Sequence, residues 1–367
     1  MEKRKRYTWF FVAVILLVFY ISFFYMERTE ISDVDLLLVV GIDKTDTGIR
    51  VTGLYKKNGG VEEATGGTKL IDGEGQTFYE AFQELQKKNL KSVSIAHATY
   101  FIFDEAAAKA GMTECLDYIE RDQTVKMDAM VYILKDDNVG DFMKKSIEQE
   151  TQLSQDLNAI SEKQVDNIKK VDNNIVKIME HLEKESNQLF IPYLVSSGEN
   201  LYVNGYGVIQ NDSLVTMLTH DQSLTLDLLR NRLRSYPIYL NHEIGLEITD
   251  SWVGSDVTIV NGGLQVNLMV DFSTDIMEVT NGDHVYEDYY INQIVELQNR
   301  YIAEKLTELF TVAEQYHLDL VDVAGMIQNN YRMDWETIVS NWPYYFSNIQ
   351  YHYNITSQAA QSYVVSA

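Results

Sequence analysis

Four cations run straight into an uncharged stretch near the start of this chain: residues 3–26 read KRKRYTWFFVAVILLVFYISFFYM. No residue from 8 to 26 is charged, a span of 19. At ~1.5 Å rise per residue such a helix is about 28 Å long, which matches the ~30 Å hydrocarbon core of a bilayer. A secretory signal has a shorter apolar core of about 7–15 residues and ends at a small-residue cleavage site. Here Ser22 is the only small residue near the exit, and Phe23, Phe24, Tyr25 and Met26 follow it. A lipid-attachment signal needs a cysteine just after the apolar run, whereas the only cysteine is Cys115. Residues 1–28 therefore read as a basic cytoplasmic tail and an uncleaved membrane anchor, with Lys3, Arg4, Lys5 and Arg6 held inside. The chain from about Glu27 onward is expected outside.

Charge narrows what that outer part can bind. Beyond residue 26, 26 Lys and Arg face 53 Asp and Glu, a net charge of −27. Such a field repels nucleic acid and anionic headgroups and attracts cations. A lone cysteine makes no intramolecular disulfide, and Cys115, inside MTECLDYIE, reads as a small buried apolar side chain. At 46% hydrophobic residues the chain is too apolar for disorder, and about 340 outer residues suffice for two or three domains.

The apolar periodicity alternates between strand and helix. DLLLVVGID reads as a buried strand, and GIRVTGLYKK follows it across a hairpin-like turn. TFYEAFQELQKKNL puts Phe78, Ala81, Phe82 and Leu85 on one helical face, with Gln76 or Thr77 near its start. HATYFIFDE and DAMVYILK read as strands around a helix, AAAKAGMTECLDYIER. Residues 139–184 read as two or three surface helices. SSGEN, 196–200, reads as a linker. After it come two short strands joined by an Asn-Asp turn, a helix in HDQSLTLDLLRNRL, and a meander over 244–252, 256–261 and 264–272. The long helical stretch from residue 288 puts Ile294, Leu297, Tyr301 and Leu306 on one face, as for a helix laid on a sheet. The expected fold is mixed α/β: a multi-domain ectodomain with mixed sheets and packed helices behind one N-terminal transmembrane helix. Its expected parts are an N-terminal α/β domain, 30–195, and a C-terminal α/β region, 200–367, either whole or dividing near 240.

Chemical motifs are scarce. GGVEEATGGTKL, 59–70, lacks the Gly-Lys-Ser/Thr order of a phosphate loop, because Thr68 separates Gly67 from Lys69 and Leu70 takes the hydroxyl position. NHEIG, 241–245, has no second histidine four residues on, and structural zinc finds no ligand set. Neither Gly-x-Ser-x-Gly nor Ser-x-x-Lys occurs, so a hydrolytic serine has no support. His97 reads as a satisfied histidine at a domain seam. Asp43 and Asp46 in DKTDTG could hold calcium, although the alternating ligand ladder is missing. The aromatic run NWPYYFSNIQYHYN, 341–354, reads either as a docking surface or as packing under the long helix. No catalytic, cofactor-binding or metal-ligating residue is assigned, and no cofactor is expected.

Taken in order, five segments resemble the Ger(x)C family, the GerAC-like C subunit of spore germinant receptors. They are LVVGIDK (38–44), GEGQTFYEAFQEL (73–85), HATYFIFDEAAAKAGMTECLDYIERD (97–122), NGYGVIQNDSLVTMLTHDQSLTLDLLRN (204–231) and DLVDVAGMIQNNYRMDWETIVSNWPYYFSNIQYHYNI (319–355). The resemblance covers residues 31–367. It departs from the family at one point, the absent lipobox cysteine, for which an anchor helix substitutes. The resemblance implies a non-enzymatic subunit of a nutrient receptor in the spore inner membrane, single-pass, with its C-terminal domain on the outer face. Implied partners are an integral-membrane A subunit and a transporter-like, integral-membrane B subunit, with no nucleic acid. The alternatives are an extracytoplasmic solute-binding module and an anchored cell-wall hydrolase using a carboxylate pair.

Overall fold

The computed structural model of the protein describes residues 9, 12, 14–20, 34–56, 67–169, 172–182, 188–198, 200–280 and 288–360. The anchor expected over 8–26 lies largely outside them. Of that stretch, Trp9, Val12 and residues 14–20 are helical and exposed. Among the described residues no helix is long and apolar enough to cross a membrane. The Gly-rich segment also falls mostly outside the described residues.

A continuous apolar run dictates the centre of the first sheet. Strand β1 (Val34–Lys44) buries both faces of its C-terminal half, as a strand covered by helices on two sides must. It pairs antiparallel with β2 (Ile49–Lys56), which pairs antiparallel with β3 (Thr68–Gly75). Helix α1 (Phe78–Lys88) then covers one face. Thr77 caps it by accepting the Glu80 N–H at 3.2 Å, and Phe78, Ala81, Phe82 and Leu85 are the buried residues, as the periodicity predicts.

Two strands share the other edge of β1. The short β4 (Ser92–Ser94) and β5 (Tyr100–Asp104) run parallel to it, one after the other. The helix expected after β5 is two: α2 (Glu105–Ala110) and α3 (Thr113–Arg121), broken at Gly111, whose φ of 125° is closed to side-chain-bearing residues. Strand β6 (Met130–Leu134) pairs parallel with β5. The three helices of the next segment, α4 (Val139–Glu148), α5 (Leu153–Asn167) and α6 (Ile175–Leu182), are less superficial than their polar sequence suggests. Leu153, Leu157, Ile160, Ile175 and Ile178 are buried.

Where the sequence suggests a linker, the structure has a hairpin turn. Strand β7 (Gln188–Ser197), parallel to β6, pairs antiparallel with β8 (Asn200–Gln210) out to Ser197 opposite Asn200. Strand β9 (Ser213–Met217) follows across the expected Asn-Asp turn, where Asn211 and Asp212 both have positive φ. The first sheet thus has nine strands in the order β3-β2-β1-β5-β6-β7-β8-β9, with β4 beside β1, and β8 and β9 complete it from beyond the SSGEN segment.

A second, four-stranded sheet follows helix α7 (His220–Leu229), in the order β10 (Tyr236–Leu240), β11 (Ile244–Val260), β12 (Gly263–Val279) and β13 (Gln350–Ala360). The expected three-run meander is a single hairpin of two 17-residue strands, β11 and β12. Ser255, between the first two expected runs, and Asp256, which opens the second, sit exposed within β11, and the pairing with β12 continues through both. Helix α8 (Asp288–Tyr316) buries Ile294, Ile302, Leu306 and Phe310 against the inner face, while Leu297 and Tyr301 pack at its margin. Short helices α9 (Val323–Asn330), α10 (Arg332–Val339) and α11 (Trp342–Ser347) lead into β13, which runs parallel to β12. The 341–354 aromatics belong mainly to this core. Phe346 is buried, and Tyr351 stacks on Phe310 with centroids 3.9 Å apart.

One long-range cap ties the end of the first sheet to its middle. Helix α3 has no side-chain cap from its own N-terminal residue. Asp212, in the β8–β9 turn, instead accepts from the Met112 and Thr113 N–H groups at 2.9 and 2.6 Å and from the Thr113 hydroxyl. Asp212→Ala is expected to cost the full-length chain about 1–2 kcal/mol in urea unfolding, with the denaturant slope unchanged.

Candidate functional site

The residues that looked chemical in the sequence are held by structure. Asp43, at the C-terminal end of β1, is fully buried and accepts the Val139 and Gly140 N–H groups of α4 at 2.5 and 2.9 Å. Asp104, at the end of the parallel β5, does the same for α2 through Ala107 at 2.6 Å. Ligands in α/β sheets often bind at such strand ends, but here helix amides occupy both carboxylates. Burial pushes the Asp43 carboxyl up to about 6, against those two amides, and the Asp104 charge adds to the rise. Asp46 is exposed, whereas Asp43 is buried and held by helix amides. His97, expected as a satisfied histidine at a domain seam, lies exposed in the turn before β5. Cys115 is buried and free, and burial raises its thiol to about 12, beyond nucleophilic use. Among the described residues, no group of three or more His, Cys, Asp or Glu side chains is arranged to hold a metal ion.

The strongest electrostatic feature is one the sequence reading did not single out. Helix α7 is buried from Ser223 to Leu229, with Asp227 in the middle of that run. The signal was present in LTLDLLRNR, where a carboxylate sits among leucines and two arginines follow. A helix buried all round must supply partners for any charge on it. Asp227 is 3% exposed, and the Tyr206 hydroxyl of β8 donates to its Oδ2 at 2.9 Å. Arg230 lays its guanidinium over the Phe190 ring of β7 at 4.1 Å. Arg232 pairs with Asp172 at 2.7 Å, and its carbonyl accepts the Lys169 N–H. These contacts join the last strands of the first sheet to the helix that opens the second unit. Burial drives the Asp227 carboxyl up to about 7, opposed by the Tyr206 hydrogen bond and by Arg232 and Arg230. Burial, with Arg232 beside it, lowers the Arg230 guanidinium to about 10.

A cleft of about 250 Å³ opens beside this seam, between α5, β8 and α7. Ile160, Ile168, Leu201, Val203 and Leu224 form its walls. Tyr206 and Asp227 lie at its floor, and the exposed Lys163, Tyr202 and His220 stand at its mouth. Gly205 makes the close approach of β8 and α7 feasible. Its φ is 149°, and a Cβ there would come within 2.3 Å of the Leu218 carbonyl oxygen.

Residues 27–196 match the family described as "Spore germination protein N-terminal domain", and residues 204–362 match "Spore germination B3/ GerAC like, C-terminal". This chain belongs to the Ger(x)C family of spore germination proteins. Among its relatives, the spore germination protein GerQC of Bacillus cereus is 20% identical over 303 residues, covering 81% of this chain and 83% of GerQC. The crystal structure of the GerBC protein shares the fold, with a TM-score of 0.58 at 15% identity, over 88% of this chain and 97% of that one. The two Ger(x)C segments meet at residues 196–204, the β7–β8 hairpin, so hydrogen bonds of a single sheet run across the junction.

Both buried aspartates make stability pH-dependent. Their folded values, about 6 for Asp43 and about 7 for Asp227, lie above the ordinary 3.8, so the folded chain keeps protons that the unfolded chain has lost. This contribution is complete below about pH 4 and is lost as the pH rises through about 6 and 7. The unfolding free energy should fall by about 6 kcal/mol between about pH 4 and about pH 7, and Asp227→Asn should flatten the upper part of that fall.

Proposed function

We propose that this Ger(x)C protein is a non-enzymatic, membrane-held C subunit of a nutrient germinant receptor, acting by contact with an integral-membrane A subunit and a transporter-like B subunit. The observation that carries the reading is the pair of family segments, in order, over almost the whole outer chain. The site geometry supports it. The carboxylates at the strand ends are occupied by helix amides, and the one cysteine is an inert buried thiol.

The N-terminal sequence supports placing the body on the outer face of the spore inner membrane. An uncharged run of 19 residues behind four cations reads as a spanning helix with the acidic body beyond it. A spanning helix holds more firmly than a lipid chain, whose burial contributes about 0.8 kcal/mol per CH₂. Tethering also raises the local concentration of the body beside its partners, so a modest interface suffices to hold the complex.

Two outcomes are expected. Deleting the gene abolishes germination to at least one nutrient, and the tagged protein brings two multi-span membrane proteins with it from detergent-solubilised spore membranes. Unchanged germination with every nutrient, together with copurification of no membrane protein, contradicts the proposal. For the anchor, Cys115→Ala should leave the protein in the membrane fraction at its full-length mass. Release into the soluble fraction would show that attachment depends on the thiol.

A further inference from the structure

We propose that the cleft between α5, β8 and α7 binds a compact primary amine, with the ammonium against Asp227 and the hydrocarbon body along Ile160, Leu201, Val203 and Leu224.

The floor carries the argument. Asp227 is 3% exposed and lines the cleft, and its hydrogen bond from Tyr206 goes to Oδ2. Tyr206 takes Oδ2, and the carboxylate itself lines the cleft, so Oδ1 is the oxygen available to a ligand there. The neighbouring cations do not fill that place: Arg230 is stacked on Phe190, Arg232 is paired with Asp172, and neither lines the cleft. A hydrogen bond to a charged acceptor out of bulk water is stronger than one between neutral groups, which favours a ligand N–H there. An ammonium adds charge assistance and favours the ionised carboxylate.

The walls and mouth define the rest of the ligand. Apolar side chains from three elements face the space, so the body next to the amine is hydrocarbon. The volume, about 250 Å³, exceeds the ~150 Å³ of a cavity that admits benzene. Lys163 at the mouth disfavours a second cationic end, which selects a monoamine over a diamine. This reading of the cleft holds whether or not the chain is membrane-anchored.

The groups facing Asp227 are Tyr206 from β8, Arg230 and Arg232 from the loop after α7, His220 from the start of α7 and Lys163 from α5. Because burial holds the carboxyl largely protonated below about pH 7, amine affinity should rise as the pH is raised from about 6 to about 8. His220→Gln should keep that profile, since it removes the imidazole at the mouth and leaves Asp227 and its Tyr206 hydrogen bond in place.

The test uses the full-length chain in lipid nanodiscs, with n-pentylamine, 1-pentanol and pentanoate as probes and saturation-transfer NMR titration as the readout. The expected order of affinity is amine, then alcohol, then carboxylate, with the amine favoured by about ten-fold or more. Asp227→Asn, which keeps an oxygen for Tyr206, should remove that preference and leave the alcohol unchanged. Leu201→Trp, on a half-buried strand position, should abolish binding of all three without lowering the melting temperature. The proposal is overturned by any of three results: no saturable amine binding to the native chain, equal amine binding by Asp227→Asn or Leu201→Trp, or tightest binding by pentanoate.

Discussion

The architecture depends on a buried aspartate and two half-buried arginines where the two sheets meet. Asp227 sits on a helix buried all round, Tyr206 reaches it from β8, Arg230 stacks on Phe190 of β7, and Arg232 pairs with Asp172. Removing one partner of such a buried set costs about 3–5 kcal/mol, because it strands the others without water. The apolar cluster of the second unit extends across the same line, taking in Phe190 and Val208 from the first sheet. Two sheets with separate hydrogen-bond ladders are thereby coupled through one helix and the loop that follows it.

This coupling bears on function. Under the proposed role, in which the subunit acts by contact, such coupling lets position pass from one unit to the other where a hinge would absorb it. Here the family's two segments meet inside the β7–β8 hairpin, where the sheet itself bridges them. The far side of the second sheet is left open. Trp252, Met269, Met277 and Tyr239 are exposed there, and no lysine or arginine occurs from residue 235 to residue 299.

Local patterns were legible in the sequence, and long-range pairing was not. The α1 face of Phe78, Ala81, Phe82 and Leu85, the Thr77 cap, the Asn-Asp turn and the buried Cys115 all follow from spacing within a few residues. SSGEN has the composition of a linker and of a hairpin turn alike, and only the partner strand decides between them. The expected runs 244–252 and 256–261 are one strand, because a sheet with one open face accommodates polar residues such as Ser255 at exposed positions. The Asp227 seam was missed because its members lie on four separated segments, and no periodicity links residues 172, 190, 206 and 227–232. Its local trace was a charge enclosed by leucines, which reads as a surface position until the helix is known to be buried on every side.

The coupling is tested most directly by residue-resolved hydrogen exchange of the full-length chain. The slowest amides of β6, in the first sheet, should share one opening free energy with those of β12, in the second, and Arg230→Ala should lower both together. Two distinct opening energies in the native chain, with Arg230→Ala moving only one of them, would show that the sheets are independent bodies and that the buried seam does not join them.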